Sequence, residues 1–212
     1  MSKNHSPYHL DQSEKQRFAD VLKVAETCQY EEEHTRHVTN LALQIFDQLH
    51  DLLNLGKRDK FYLLCAAYLH DIGVHTEGAK GHHKTALRII LSTPLLQFDS
   101  KERLLIGSIA RYHRKALPSI SHSHFAALEK KERELVSALA AILRIADGLD
   151  YRHDSRVDQV QVAVLEHKIT FTCKTKKKNL RQELASAVRK SDLLEKVSSR
   201  EIVFVEKLRN SD

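Results

Sequence analysis

The chain has 212 residues, 42% of them hydrophobic, which is enough to bury one sizeable core with a small extension. Its formal net charge of +6 permits an anionic partner, whereas six Gly, three Pro and no Arg-rich or RNP-like motif argue against specific nucleic-acid recognition. The sequence starts with the polar stretch MSKNHSPYHLDQSEKQ, and no later apolar run approaches the roughly 18 residues of a membrane span. The three cysteines are widely separated. These features predict a cytoplasmic protein without membrane contact.

Hydrophobic residues at helical spacing predict a mainly α-helical fold for the first 150 residues. In chain order, the predicted helices cover residues 14–28, 31–55, 60–73, 100–118 and 129–148. Gly56 and Gly73 would end the second and third helices, and Asp59 would cap the third. Ser100 and Pro118 would begin and end the fourth. The third helix is apolar on nearly all sides, which predicts that it lies in the centre of the domain.

Two segments between these helices read as loops. Residues 73–84 are rich in Gly and His and lead to the apolar run of residues 86–96. Residues 122–125 predict a short loop or turn.

After Asp150 the pattern changes to alternating apolar and polar residues, which is the period of β-strands. The elements predicted there are two antiparallel strands, a helix and a third strand, at residues 157–167, 168–176, 180–197 and 201–208. We therefore expect a helical domain over residues 1–150 and a small α+β extension over residues 151–212. The run KTKKKN reads as a solvated hairpin turn, with a phosphate or nucleic-acid patch as the alternative. The edge strands could pair between chains, so a homodimer is one expectation.

The 14 histidines are the unusual feature of the composition. His34 falls on the apolar face of its helix, although a single inward histidine is usually a hydrogen-bonded core residue. His70 and Asp71 end the buried third helix, where two adjacent ionisable groups are costly unless they are paired or bind a metal. Asp147 lies at the edge of the apolar face of the last long helix. These four side chains predict a site for a divalent metal ion such as Mn, Fe, Zn, Co, Ni or Mg.

The order of one His, an adjacent His-Asp pair and one Asp on three buried helices resembles the HD superfamily of metal-dependent phosphohydrolases. The stretches AAYLHDIGV, KGHHKTALRII, IARYHRKALP and LAAILRIADGLDYRHDSRVDQVQV are similar to the C-terminal HD region of the exopolyphosphatase and guanosine pentaphosphatase (Ppx/GppA) family. The resemblance extends over most of the chain. It implies an HD-domain helical bundle with a small C-terminal α+β extension.

Two departures from this family pattern limit the resemblance. Those enzymes carry an N-terminal actin-like phosphatase half, which we expect this chain to lack, so their exopolyphosphatase activity does not simply transfer. The family run His-His-Lys-His-Ser reads His82, His83, Lys84, Thr85, Ala86 here, so one candidate histidine is missing. In addition, Ile72 stands where some HD nucleotidases have a Glu.

The resemblance also implies a second set of residues that would contact the phosphate or a second metal. His82 or His83, without a choice between them, and His113 belong to this set, and spacing places His113 on the buried face of its predicted helix. Arg114 and Lys115 would bind the phosphoryl group, with a solvated basic face as the alternative.

Other polar residues near these motifs have simpler predicted roles. Arg144, one turn before Asp147, could pair with it. The loop residues expected to be exposed are His75, Glu77, His122, His124 and His153.

We therefore expect a metal-dependent phosphohydrolase that cleaves a phosphate ester or anhydride of a nucleotide, a signalling nucleotide or polyphosphate. Asp71 would orient or deprotonate the attacking water, and His113 would assist catalysis. The alternative is a non-catalytic module that binds metal, nucleotide or polyphosphate and regulates a separate phosphatase.

Overall fold

The computed structural model describes residues 8–78, 80–94, 96–176 and 179–208, with only the backbone of Glu77. The helices are α1 (Gln12–Thr27), α2 (Glu32–Leu49), α3 (Lys57–Leu69), α4 (Val74–Glu77), α5 (His82–Ser92), α6 (Ser100–Arg111), α7 (Ser123–Ala126), α8 (Lys130–Gly148), α9 (Arg181–Lys190) and α10 (Asp192–Ser198). The strands are β1 (Gln159–Val164), β2 (Lys168–Thr175) and β3 (Glu201–Leu208). The predicted fold class, mainly helical with a small C-terminal sheet, is confirmed.

Helix α3 forms the centre of the helical part, as its apolar sequence predicts. Every residue from Phe61 to Leu69 is buried, and α1, α2, α6 and α8 pack around it. The buried face of α2 carries His34 beside the apolar residues of the core. The polar ends of α2, α3 and α8 consequently meet inside the protein.

Several predicted boundaries are wrong because local hydrogen bonds fix them elsewhere. Asp99, not Ser100, caps α6, since its carboxylate accepts a hydrogen bond from the Glu102 N–H at 2.8 Å. Helix α6 ends at Arg111 instead of continuing to Pro118, and Lys115 has a positive φ of 57°, which no right-handed helix accommodates.

Other elements also differ from their predictions. Helix α2 ends at Leu49 and not at Gly56, and α3 ends at Leu69 and not at Gly73. Gly56 caps α3, and Asp59 supports it from the third helical position by accepting the Gly56 N–H at 2.7 Å. Residues 122–125, expected to be a loop, contribute to the short helix α7, and the expected loop 73–84 contains α4 and the start of α5. The single helix predicted over 180–197 is two helices that meet at Ser191, whose hydroxyl donates to the Val188 carbonyl.

The C-terminal sheet has the order β1-β2-β3. Strands β1 and β2 are antiparallel, as predicted, and β3 pairs parallel to β2. A parallel pair requires a crossover connection, and α9 with α10 supply it while packing on α8. The run KTKKKN therefore joins a strand to a helix and is not a hairpin turn; Lys177 and Lys178 within it lie outside the described residues. The expected homodimer and the domain boundary at residue 150 stay predictions.

In the described part of the chain, no helix has the length and apolar character that a membrane crossing needs. Cys65 and Cys173 are buried, Cys28 is half-buried, and all three are free thiols.

Candidate metal centre

One group of candidate ligands lies where α2, α3 and α8 meet. His34 comes from α2, His70 follows α3 directly, and Asp147 lies in the last turn of α8. Each offers one ligand atom, and these atoms lie within 4.8 Å of one another. Three of the four residues predicted as metal ligands are thus brought together.

Hydrogen bonds orient both imidazole rings of this group. The His70 Nδ1 donates to the Ala67 carbonyl at 2.6 Å, and the His34 Nδ1 bonds to Asp150 Oδ2 at 2.8 Å. Both rings therefore point Nε2 into the site, and each Nε2 is buried without a hydrogen-bond partner among the described residues. A histidine that binds a metal usually has one ring nitrogen hydrogen-bonded to a carbonyl or carboxylate. This bond fixes the ring and leaves the other nitrogen for the ion.

Asp71 connects this group to a second one. Its Oδ2 lies 3.8 Å from His34 Nε2 and 3.6 Å from His70 Nε2. Its Oδ1 lies 3.0 Å from His82 Nε2 and 3.3 Å from His113 Nε2. Asp71, His82 and His113 form a second group that could hold an ion. One carboxylate thus faces both groups, an arrangement compatible with one or two ions.

The geometry distinguishes His82 from its neighbour. His82 Nε2 lies 3.0 Å from Asp71 Oδ1, and His82 lines the cleft. His83 belongs neither to the group around Asp71 nor to the cleft lining. Burial, with the charge of Arg111, lowers the pKa of His83 to about 4. His82 is consequently the residue that belongs to the site.

His113 is buried as predicted, but it follows α6 instead of lying on its buried face. Its Nδ1 donates to the Ala110 carbonyl at 2.7 Å, one turn back at the end of the helix. Burial holds the pKa of His113 well below its ordinary value. Its Nε2 is therefore unprotonated and available as an acceptor or ligand.

Two residues that form hydrogen bonds or ion pairs with the predicted ligands were not predicted from the sequence. The Lys190 ammonium forms a short ion pair with Asp147 Oδ2, and Asp150 holds His34. Asp150 has a local signal, because it ends the same ADGLD segment as Asp147. Lys190 has none, since it lies on α9, far along the chain. Arg144, expected near Asp147, instead pairs with Asp192 at 2.8 Å.

The carboxylates of the site are held in their charged forms. Burial opposes ionisation of Asp147, but the ammonium of Lys190 outweighs it and keeps the pKa of Asp147 well below its usual value. Burial also opposes ionisation of Asp71, and the neighbouring histidines outweigh it, so the pKa of Asp71 is lowered. Burial disfavours protonated His34, yet the carboxylates of Asp147 and Asp150 raise its pKa to about 10. A divalent cation suits this buried set of charged carboxylates and oriented imidazole rings, and its binding would displace the second proton that the two carboxylates hold on His34.

The site opens into a cleft with a volume of about 490 Å³. The residues lining it are Gln29, Tyr30, Glu31, Asp71, Val74, His75, His82, His113, Arg114, Asp147, Tyr151, His153, Ser186, Arg189 and Lys190. Arg114 is among them, as the predicted phosphate-binding role requires, and its Nη1 lies 3.4 Å from His82 Nε2. Lys115 does not line the cleft, because its backbone turns away from the cleft and its carbonyl accepts a hydrogen bond from Arg144.

Several histidines expected to be merely exposed have definite contacts. His153 stacks on His34, with ring centres 3.6 Å apart, and its Nδ1 bonds to Glu31. His122 and His124 are half-buried beside Tyr112, and the His122 Nδ1 lies 2.8 Å from the Tyr112 hydroxyl. His75 is exposed at the rim of the cleft. The Glu77 side chain lies outside the described residues.

Comparison with known proteins gives the family of the chain. A guanosine-5'-triphosphate,3'-diphosphate pyrophosphatase of Pseudoalteromonas atlantica is 30% identical over 137 residues, 64% of this chain and 26% of that protein. An enzyme of the same name from Vibrio vulnificus is 28% identical over 146 residues, 68% of this chain and 28% of that protein. The chain thus spans little more than a quarter of these relatives. A family model described as Ppx/GppA phosphatase, domain III, matches residues 16–196, and the chain therefore belongs to the Ppx/GppA phosphatase domain III family.

Proposed function

We propose that the chain is an HD-type, metal-dependent phosphohydrolase that cleaves a phosphate ester or anhydride. The observation that carries the proposal is the position of Asp71, whose two oxygens face two adjacent ligand groups at the floor of an open cleft. The relatives are pyrophosphatases of a guanosine polyphosphate. These names support the proposal that the substrate is a nucleotide, a signalling nucleotide or polyphosphate.

His34, His70, Asp71 and Asp147 would hold the ion, and Asp71, His82 and His113 would hold a second one or contact the phosphate. When bound, a divalent ion would polarise a phosphoryl oxygen and lower the pKa of a water molecule. The metal identity stays open among Mn, Fe, Zn, Co, Ni and Mg, because mixed imidazole and carboxylate ligands suit each of them.

The side chains of this chain have distinct roles in the proposed reaction. Asp71 Oδ1 is buried beside His82 Nε2 and His113 Nε2, where it would orient a water and be the first acceptor of its proton. His113, unprotonated at Nε2, is a second acceptor. Arg114 at the cleft wall would bind the phosphoryl oxygens and offset the charge that develops on them.

A second candidate function is a non-catalytic module that binds metal, nucleotide or polyphosphate and regulates a phosphatase. Two observations favour it. Lys190 neutralises the charge of Asp147, and the aligned region is little more than a quarter of the relatives, so the activity named for the whole relatives does not by itself assign chemistry to this region.

Metal analysis followed by a phosphate-release panel separates the two candidates. Wild type would be compared with Asp71→Asn and with the control Asp51→Asn, whose side chain is almost fully exposed. Metal-dependent turnover that is lost in Asp71→Asn and kept in Asp51→Asn would support the hydrolase. Bound metal with every nucleotide and polyphosphate left intact would support the module. A wild type that binds no divalent metal would refute the hydrolase and would leave only a module that binds nucleotide or polyphosphate.

A further inference from the structure

Helix α9 contributes a basic wall to the cleft. Ser186, Arg189 and Lys190 all line the cleft, and their spacing of three and four residues places them on one face of the helix. Ser186 is buried, whereas Arg189 is exposed. The sequence reasoning assigned this helix no role in binding.

The wall is held firmly in place. A side-chain carbon added at Gly148 of α8 would lie 3.0 Å from the backbone of Ala187, so α8 and α9 are in close backbone contact. Arg152 also holds Glu183 of α9 through two hydrogen bonds of 2.6 Å. A rigid helix positions its charged residues more precisely than a loop does.

The charges of this wall are only partly balanced. Lys190 pairs with Asp147, and Glu31 at the rim pairs with His153. Arg189 has no carboxylate partner among the described residues, and its guanidinium is always charged. When Asp147 binds a metal ion, its negative charge is shared with that ion. The positive charge of Lys190 is then less balanced by Asp147.

We propose that Arg189 and Lys190 form a second phosphate-binding subsite beside the metal centre, so that the cleft takes ligands with two linked phosphoryl groups. This inference rests on the proposed metal centre. One phosphoryl group lies at the ion and Arg114, and the adjacent one lies against α9. A cleft of about 490 Å³ is in the size range of small-molecule sites and holds more than a single phosphate.

Lys190 links the subsite to the metal. Because its ammonium and a metal ion compete for Asp147, Lys190→Met removes the competitor and raises the affinity for the ion. The same substitution removes a cation from the subsite and lowers the affinity for a diphosphate ligand. A rise in the affinity for the metal ion together with a fall in the affinity for the diphosphate ligand would not result from simple loss of structure.

The test uses the full chain loaded with Mn²⁺ and titrated with methylenediphosphonate, whose P–C–P bridge is not hydrolysed, or with methylphosphonate. Wild type should bind the diphosphonate about tenfold or more tightly than the monophosphonate, the scale of one charge-assisted contact. Arg189→Ala should lose this preference, whereas the control Arg181→Ala, exposed on the same helix outside the cleft, should keep it. Metal content measured after each titration excludes stripping of the ion.

Each result has a definite meaning. Unchanged diphosphonate affinity in Arg189→Ala, or metal affinity that falls in Lys190→Met, would overturn the subsite while leaving the proposed function intact. Wild type that takes up no Mn²⁺ would overturn the proposed metal centre itself. A preference lost in Arg189→Ala with metal content unchanged would establish the subsite.

Discussion

Gly73 lies where the end of α3 meets the start of α5, and this contact sets the distance between Asp71 and His82. A side-chain carbon at Gly73 would lie 2.3 Å from the His82 carbonyl oxygen and 2.9 Å from Thr85 Cβ. The backbone at Gly73 has φ −82° and ψ −8°, which an alanine adopts without strain. Gly73→Ala therefore tests packing alone.

The expected cost follows from this clash. Ordinary contact begins near 3.4 Å, so the start of α5 must withdraw by about 1 Å, and backbone in a packed interior does not yield freely. Overpacking of this kind costs about 1–3 kcal/mol. The His82 ring would move with its backbone, away from Asp71 Oδ1.

The matched control is Gly107→Ala on α6. There the added carbon would lie 2.8 Å from Leu87 Cδ1, the end of a flexible side chain, and an alanine within a helix regains up to about 1 kcal/mol relative to glycine. Urea unfolding should give a clear loss of stability for Gly73→Ala and little change for Gly107→Ala. Metal affinity should also fall for Gly73→Ala alone. Equal stability of the two variants would show that the contact between α3 and α5 tolerates the added methyl group.

Three further predictions concern other parts of the molecule. Arg152→Ala strands the buried Glu183 carboxylate and should lower the free energy of unfolding by about 3–5 kcal/mol, measured by urea unfolding, a result that an unchanged midpoint would contradict. Burial, with the charge of Arg111, lowers the pKa of His124 from 6.5 to about 4. The unfolded chain therefore binds the extra proton first, and stability falls as the pH drops between these two values. His124→Gln should flatten the loss of stability between about pH 6.5 and pH 4, measured by urea unfolding at each pH. In the native protein, a thiol reagent should modify the half-buried Cys28 before the two buried cysteines, which should react only after unfolding.

The sequence predicted the elements well and their ends less well, for physical reasons. Helical periodicity reports the buried face of α3 and α8, because burial extends over many residues. An end depends on one or two hydrogen bonds, as at Asp99, whose carboxylate outcompetes the neighbouring Ser100 as the cap of α6. The positive φ of Lys115 has no sequence signal, since lysine rarely adopts this conformation.

The candidate site was predictable where its residues lie at the ends of apolar helices. His70 and Asp71 follow a buried run directly, so their cost without partners is visible in the sequence. Lys190 was not predictable, because its helix reads as an amphipathic element of the extension and its contact with Asp147 arises only from the packing of α9 on α8. A long-range ion pair leaves no periodic pattern in a single sequence.

The position of Lys190 bears on how the helical part and the C-terminal part depend on each other. Asp147 and Arg144 both lie on α8, and both have partners beyond residue 150, Lys190 and Asp192 respectively. Without those partners, α8 would hold one buried carboxylate and one buried guanidinium, each with a desolvation cost that its ion pair now offsets. The residues after 150 thus do more than extend the helical core. They balance the charge of a candidate metal ligand and form one wall of the cleft, so the centre described above needs both parts of the chain.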